Sequence, residues 1–184
     1  MSIVLVGSTS GSITLQEPAV AGTTVLDLPA VSGTILTTTS PKAGNVIQVV
    51  STTYATQTST TSTSYVDSGL SLSITPSNSS NKILIMVNGT CDYSRTLTNI
   101  DTGFGVQLVR NSTSIYNHNL AFYLYINGAS SNNDMYGQFS MSYVDSPSTT
   151  SSTTYKLQFR TYSGLVKIHA DNYPSSITLM EIAG

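Results

Sequence analysis

The candidate side chains for acid–base, nucleophilic or metal chemistry are few: His118, His169, Cys91 and, of nine carboxylates, Asp92, Asp101, Asp134, Asp145, Asp171 and Glu181. Glycan cleavage needs two carboxylates at a defined separation. These six mostly stand beside turn residues, and each is expected to cap a turn. No Gly-x-Ser-x-Gly nucleophile elbow occurs, and serines are so many that a triad assembled on paper means nothing. Cys91 is the single cysteine and lies in an apolar run, which makes it a buried small hydrophobe rather than a catalytic thiol. His169, in an alternating segment, is expected to be a satisfied sheet residue. His118 has two readings: a solvent-facing loop residue, or one of three imidazoles meeting on the axis of a trimer, a workable metal face. No catalytic reading follows, and no cofactor or resident metal is expected.

Recognition chemistry is better represented. Tyr116, Tyr123, Tyr125 and Tyr136 surround the segment Asn127-Gly-Ala-Ser-Ser-Asn132-Asn133-Asp134. Tyrosine rings stack on sugar faces, and Asn, Ser and Asp bond hydroxyls, so Tyr116, His118, Tyr123, Tyr125, Asn127, Asn132, Asn133 and Tyr136 form a candidate glycan contact. The competing reading packs these tyrosines into a core or an intersubunit seam, where large aromatics ordinarily go.

The elements that would position such residues are strands. Only 9% of residues are charged, against about 25% in an ordinary soluble domain, and the net charge is -2. That leaves no electrostatic footprint for nucleic acid or an acidic membrane. Ser and Thr make up roughly three residues in ten and carry the polarity, which suits strands and tight turns. The 39% hydrophobic content argues against disorder. No run approaches the ~20 apolar residues of a membrane helix. The start, Met1-Ser-Ile-Val-Leu-Val-Gly7, lacks a basic region and a long apolar core, so synthesis in a cytoplasm without secretory export is expected.

From residue 45 onward the alternation has period 2 or runs continuously apolar: Val46–Val50, Leu70–Ile74, Lys82–Val87, Phe104–Arg110, Ser114–Tyr116, Met135–Val144, Tyr155–Arg160, Leu165–His169 and Ser176–Ile182. Residues 51–64 read as an edge strand or a polar hairpin, 75–81 and 111–113 as turns. About nine short strands with regular turns predict a sandwich or jelly roll. The phrase Ser64-Tyr-Val-Asp-Ser68 recurs as Ser142-Tyr-Val-Asp-Ser146, which suggests strand-closing turn chemistry at equivalent corners of two sheets.

Ahead of this lies a repeat. Glycine returns every eleven residues at Gly11, Gly22, Gly33 and Gly44. Two units share a frame, Gly11-Ser-Ile-Thr-Leu15-Gln-Glu-Pro18-Ala-Val20 and Gly22-Thr-Thr-Val-Leu26-Asp-Leu-Pro29-Ala-Val31, and a third begins Gly33-Thr-Ile-Leu36. Strands this short need stacked copies or neighbouring chains to bury a face. Pro18 and Pro29 belong at turns or edges, so a narrow three-chain shaft with Leu15, Leu26 and Leu36 on its axis is expected.

The repeat frame resembles linker and shaft segments of bacteriophage fibre proteins. Tyr65-Val-Asp-Ser-Gly-Leu70, Ile74-Thr-Pro-Ser-Asn-Ser-Ser-Asn-Lys82-Ile-Leu-Ile and Tyr143-Val-Asp-Ser-Pro147 through Tyr155-Lys-Leu-Gln-Phe resemble the β-rich head of many phage fibre and structural proteins. The resemblance implies a virion protein: a homotrimeric fibre or spike, on tail or capsid, with an intertwined shaft and a jelly-roll-like head. It carries no catalytic motif. The expected organisation is an attachment tip at 1–10, docking on other virion proteins through Ile3, Val4, Leu5 and Val6, a β shaft at 11–44 and a head at 45–184. The head is expected to contact the host surface, with a glycan as its candidate ligand. The alternatives are a capsid decoration without a receptor, or a stand-alone carbohydrate-binding sandwich.

Overall fold

The computed structural model describes residues 3–6, 9–15, 41–95, 101–125 and 133–184. The chain falls into two compact units, Met1–Leu36 and Thr37–Gly184. In the first, β1 (Ile3–Val6) pairs antiparallel with β2 (Ser12–Leu15) in the register Ile3↔Leu15 and Val6↔Ser12. The apolar tip and the strand of the first repeat thus form one hairpin. Gly11 leads into β2 at φ 77, a conformation that favours glycine. Val4 and Val6 are exposed. Ile3, Leu5 and Leu15 are placed by their backbones alone, and Leu26, Leu36 and the later repeats lie outside the described residues.

The second unit is a β-sandwich. In chain order its strands are β3 (Val46–Tyr54), β4 (Thr58–Thr60), β5 (Val66–Ile74), β6 (Lys82–Arg95), β7 (Asp101–Arg110), β8 (Thr113–Tyr125), β9 (Asn133–Asp145), β10 (Thr153–Ser163), β11 (Leu165–Ile168) and β12 (Ser175–Ile182). One antiparallel sheet has the order β5-β10-β7-β8. The other runs β3-β12-β6-β11-β4, with β9 along the opposite side of β6. Alternation decides which residues go inside. Tyr155, Leu157 and Phe159 of β10, with Leu108 of neighbouring β7, pack with Ile83, Ile85 and Val87 of β6 and Leu179 of β12 in one core. Each such side chain contributes about 1.5–3 kcal/mol by leaving water.

Several expectations need correcting. The strands are longer than the alternating runs, because a strand continues through polar residues wherever a neighbour pairs with its backbone. β8 absorbs the aromatic run at 122–125, and β6 continues through Gly89 to Arg95. The 51–64 segment is split between β3 and β4. The repeated Tyr-Val-Asp-Ser phrase is not equivalent in its two places. Asp67 is the second residue of β5, exposed and bonded to Lys156 and Gln158 of β10. Asp145 ends β9 and is buried against the Arg110 guanidinium at 2.8 Å and the Tyr155 hydroxyl at 2.7 Å.

The acidic residues also differ from expectation. Asp92, Asp145 and Glu181 are buried acceptors rather than turn caps. Glu181 accepts from the backbone N–H and hydroxyl of Ser77, from Asn81 Nδ2 and from Gln48 Nε2. Asp171 does sit in a turn, at φ 53. Local turn chemistry falls instead to Asn78, whose side-chain oxygen accepts the N–H of Ser80, while Asn111 accepts the N–H of the distant Thr154. Cys91 is buried as expected, and burial, with the neighbouring Asp92 charge, pushes its thiol up to about 11.

Candidate functional site

On the outer face of the β6 sheet two adjoining hollows of about 320 and 350 Å³ share Thr90 and Gln138. The odd positions of β6 point into the core, so its even positions, Asn88 and Thr90, are left on the outer face. Across the ladder they meet Ser140 and Gln138 of β9 in the register Asn88↔Ser140 and Thr90↔Gln138. Ser176 and Pro174 close one hollow; Tyr136, Ala170 and Tyr173 wall the other. Among the described residues no charged side chain lines either one. The combined groove has the size of a small-ligand site.

Two tyrosines stand over it. Tyr136 is 63% exposed and Tyr173 64%, so both rings present faces to solvent. Tyr136 follows from strand register, opposite Asp92. Among the described residues, buried Asp92 has one ionic partner, Lys167 Nζ at 2.5 Å, and its Oδ1 has none. The charges of Asp92 and then Asp171 raise the Tyr136 pKa, which keeps the phenol protonated and able both to donate and to accept.

Tyr173 is set by the turn 169–173. His169, Asp171 and Asn172 have φ of 57, 53 and 61, the left-handed region. Such a turn persists only when its surroundings hold it. Thr90 does much of this: its carbonyl accepts the His169 N–H at 3.0 Å, and its hydroxyl donates to the Tyr173 carbonyl at 3.1 Å. Gln57 supplies a further pair, accepting from Asp171 N and donating its own N–H to Asn172 Oδ1. His169 is therefore not a strand residue. It is fully buried just past β11, with Nε2 3.0 Å from the Ser68 carbonyl and Tyr54 edge-on at 5.0 Å. A carbonyl only accepts, so Nε2 carries the proton; Nδ1 has no partner among the described residues. Burial lowers the His169 pKa.

The residues marked for glycan contact from the sequence are dispersed. Tyr136 is in the groove. Tyr116 is half-buried and stacks on Tyr143 at 5.1 Å between the sheets, roughly 30 Å along β8 from Tyr125. His118 is exposed as expected, but on strand β8 rather than in a loop. Tyr123 is exposed on the same strand. Tyr125 and Asn133 are placed by their backbones at the end of β8 and the start of β9, and Asn127 and Asn132 lie outside the described residues. Among the described residues no three His, Cys, Asp or Glu side chains are grouped to hold a metal. Tyr173 was missed, although an aromatic between Asn172 and Pro174 in a short break between strands signals an exposed turn position.

No protein-family model matches this sequence, and no curated protein does. Solved structures of infectious bursal disease virus are similar to it. A mutant VP2 protein of that virus in derived T=1 particles is 15% identical over 94% of this chain and 43% of its own, with a TM-score of 0.35. The Gx strain structure is 15% identical over 95% and 43%, with a TM-score of 0.36. The Gt strain structure is 16% identical over 98% and 46%, with a TM-score of 0.34. The chain spans less than half the length of these proteins.

Proposed function

We propose that this chain is a structural protein of a phage virion, a homotrimeric fibre or spike, and that its sandwich binds a neutral host-surface glycan in the groove flanked by Tyr136 and Tyr173. The observation that carries the binding reading is this pair of exposed rings beside a groove lined by amides and hydroxyls without a charged side chain. Aromatic faces take the C–H faces of sugars, and amides and hydroxyls bond their hydroxyl groups. An acidic glycan would find no cation among the lining residues. The virion reading is supported by the eleven-residue frame, the Ser/Thr-rich neutral composition and the phrases that resemble phage fibre heads.

Purified protein is expected to bind host cells and neutral oligosaccharides on an array, and Tyr136→Ala or Tyr173→Ala to weaken this at least tenfold. Unchanged binding in both variants rejects the groove. Electron microscopy of labelled virions tests the location. A trimer that survives SDS before boiling is expected, with Leu26→Asp lowering its melting temperature. A monomer by light scattering rejects the fibre.

A further inference from the structure

His169 and Ala170 are buried, while residues 171–174 are exposed, so the imidazole is the one large side chain that the 169–173 turn sinks into the sandwich. Its socket is neutral. The Ser68 carbonyl of β5 accepts from Nε2 at 3.0 Å and from Thr58 Oγ1 of β4 at 2.8 Å, and the Tyr54 ring of β3 stands edge-on at 5.0 Å. Beneath the turn, the Thr90 carbonyl of β6 takes the His169 backbone N–H.

The charged groups on these elements are engaged elsewhere. Asp67, next to Ser68, is exposed and bonds Lys156 and Gln158. Asp92 of β6 bonds Lys167 of β11, and Lys82 and Arg95 stand at the ends of β6, away from Thr90. Burial pushes the Cys91 thiol up to about 11, so it stays neutral. β4 has no titratable residue, and on β3 the titratable group is Tyr54 itself. Asp171 of the turn is exposed. Among the described residues no carboxylate bonds the ring, and Nδ1 has no partner. A second proton would therefore put a cation and an unpaired N–H into a buried neutral socket, which is strongly disfavoured.

Bringing the ring into water avoids this, and the turn is built to allow it. Three of its residues are in the left-handed region, held by bonds to Thr90 and Gln57, while β11 before it and β12 after it pair with β6 on their own. We propose that acid opens the 169–173 turn by protonating His169, which withdraws Tyr173 from the groove and releases its ligand while the sandwich stays folded. Burial sets the sign. It lowers the pKa of His169 in the closed turn, so below about pH 6.5 the open turn takes up a proton that the closed turn refuses. Opening gains roughly tenfold for each pH unit until the closed form titrates as well. The opening stands on this geometry alone; the release of ligand rests on the glycan reading of the groove.

The test is amide exchange of the full chain at pH 7 and 5.5, corrected for intrinsic rates, with binding to an array of neutral oligosaccharides at the same two pH values. Wild type is compared with His169→Asn, which tolerates the backbone conformation but does not titrate. Wild-type protection at His169, Asn172 and Tyr173 is expected to fall at least threefold at pH 5.5 and to stay at least tenfold below that of Ile177 and Leu179 in β12. Array binding is expected to fall at least threefold, and the variant to show neither change. Equal protection in the turn and in β12 means that they open only together and overturns the switch. So does a turn whose protection is the same at both pH values, or a loss that persists in the variant. Local loss with array binding independent of pH overturns the release of ligand. No array binding at either pH overturns the glycan reading, and exchange still decides the opening. Should His169→Asn fail to fold, imidazole NMR of the wild type decides: the His169 ring must take up a proton as the turn loses protection, and a ring still neutral where the turn has opened overturns the switch.

Discussion

The hydroxyl of Thr90, in the middle of β6, donates to the carbonyl of Tyr173 at 3.1 Å, so a strand residue in the groove also holds the turn that presents the groove's second aromatic wall. Thr90→Val keeps the shape and removes this bond. The loss is expected to be about 1 kcal/mol of stability, the ordinary net worth of a hydrogen bond. Glycan binding should fall several-fold in array titrations, more than that small change in melting temperature accounts for. Unaltered binding would show that Tyr173 is positioned by its backbone turn alone.

Tyr116 and Tyr136 are expected to separate cleanly. Tyr116→Ala removes one member of the Tyr116–Tyr143 stack and should cost about 2–4 kcal/mol in denaturant unfolding, with glycan affinity retained by the folded fraction. Tyr136→Ala, at a largely exposed site, should leave unfolding within about 0.5 kcal/mol of the wild type and abolish most binding.

His169 gives the sandwich a pH dependence in the window that opens below about pH 6.5. Its folded pKa lies below the unfolded value of about 6.5, so the unfolded chain takes up a proton that the folded chain refuses. Stability is then greatest above pH 6.5 and falls as pH drops through this window. Asparagine tolerates the left-handed conformation at this position. In a series of melts, His169→Asn should flatten the decline below pH 6.5, whatever its effect at pH 7.

Glu181 acts at lower pH. Burial alone would raise its pKa, but the bonds from Asn81, Gln48 and Ser77 outweigh this and hold it below the usual carboxylate value. A carboxyl with a depressed folded pKa contributes its stability above the unfolded value, about 4.3, and loses it as pH falls further. Glu181→Gln puts an amide donor among four donor groups from three residues and should cost on the order of 1–3 kcal/mol at pH 7. The variant should also show a shallower loss of stability below pH 4.5. An identical acid limb in wild type and variant would assign acid unfolding to other carboxylates.

The strand content was legible because a pleated chain sorts its side chains with period 2, and segments such as Leu70-Ser-Leu-Ser-Ile74 and the Tyr155–Phe159 run state that sorting directly. Cys91 is buried because it keeps the inward phase of Ile83, Ile85 and Val87 along β6, although Thr90 and Asp92 beside it are polar. The turns at 75–81 and 111–113 followed from residues that favour bends. Strand length, however, is decided by whether a neighbour pairs with the backbone, and local composition does not record that.

The candidate site was legible in one residue, Tyr136. Nearness in sequence grouped it with Tyr116, but β8 and β9 lie in different sheets, and the fold turns Tyr116 into the seam while leaving Tyr136 outside. Tyr173 joins Tyr136 across 37 positions because the 169–173 turn docks on Thr90, a long-range bond with no local signature. Asp92, Asp145 and Glu181 likewise bond partners distant in sequence, Lys167, Arg110 and Asn81 among them. Periodicity determines which residues share a face of a strand. Which face is covered, and by what, depends on pairing and packing between distant segments, and only the tertiary structure decides it.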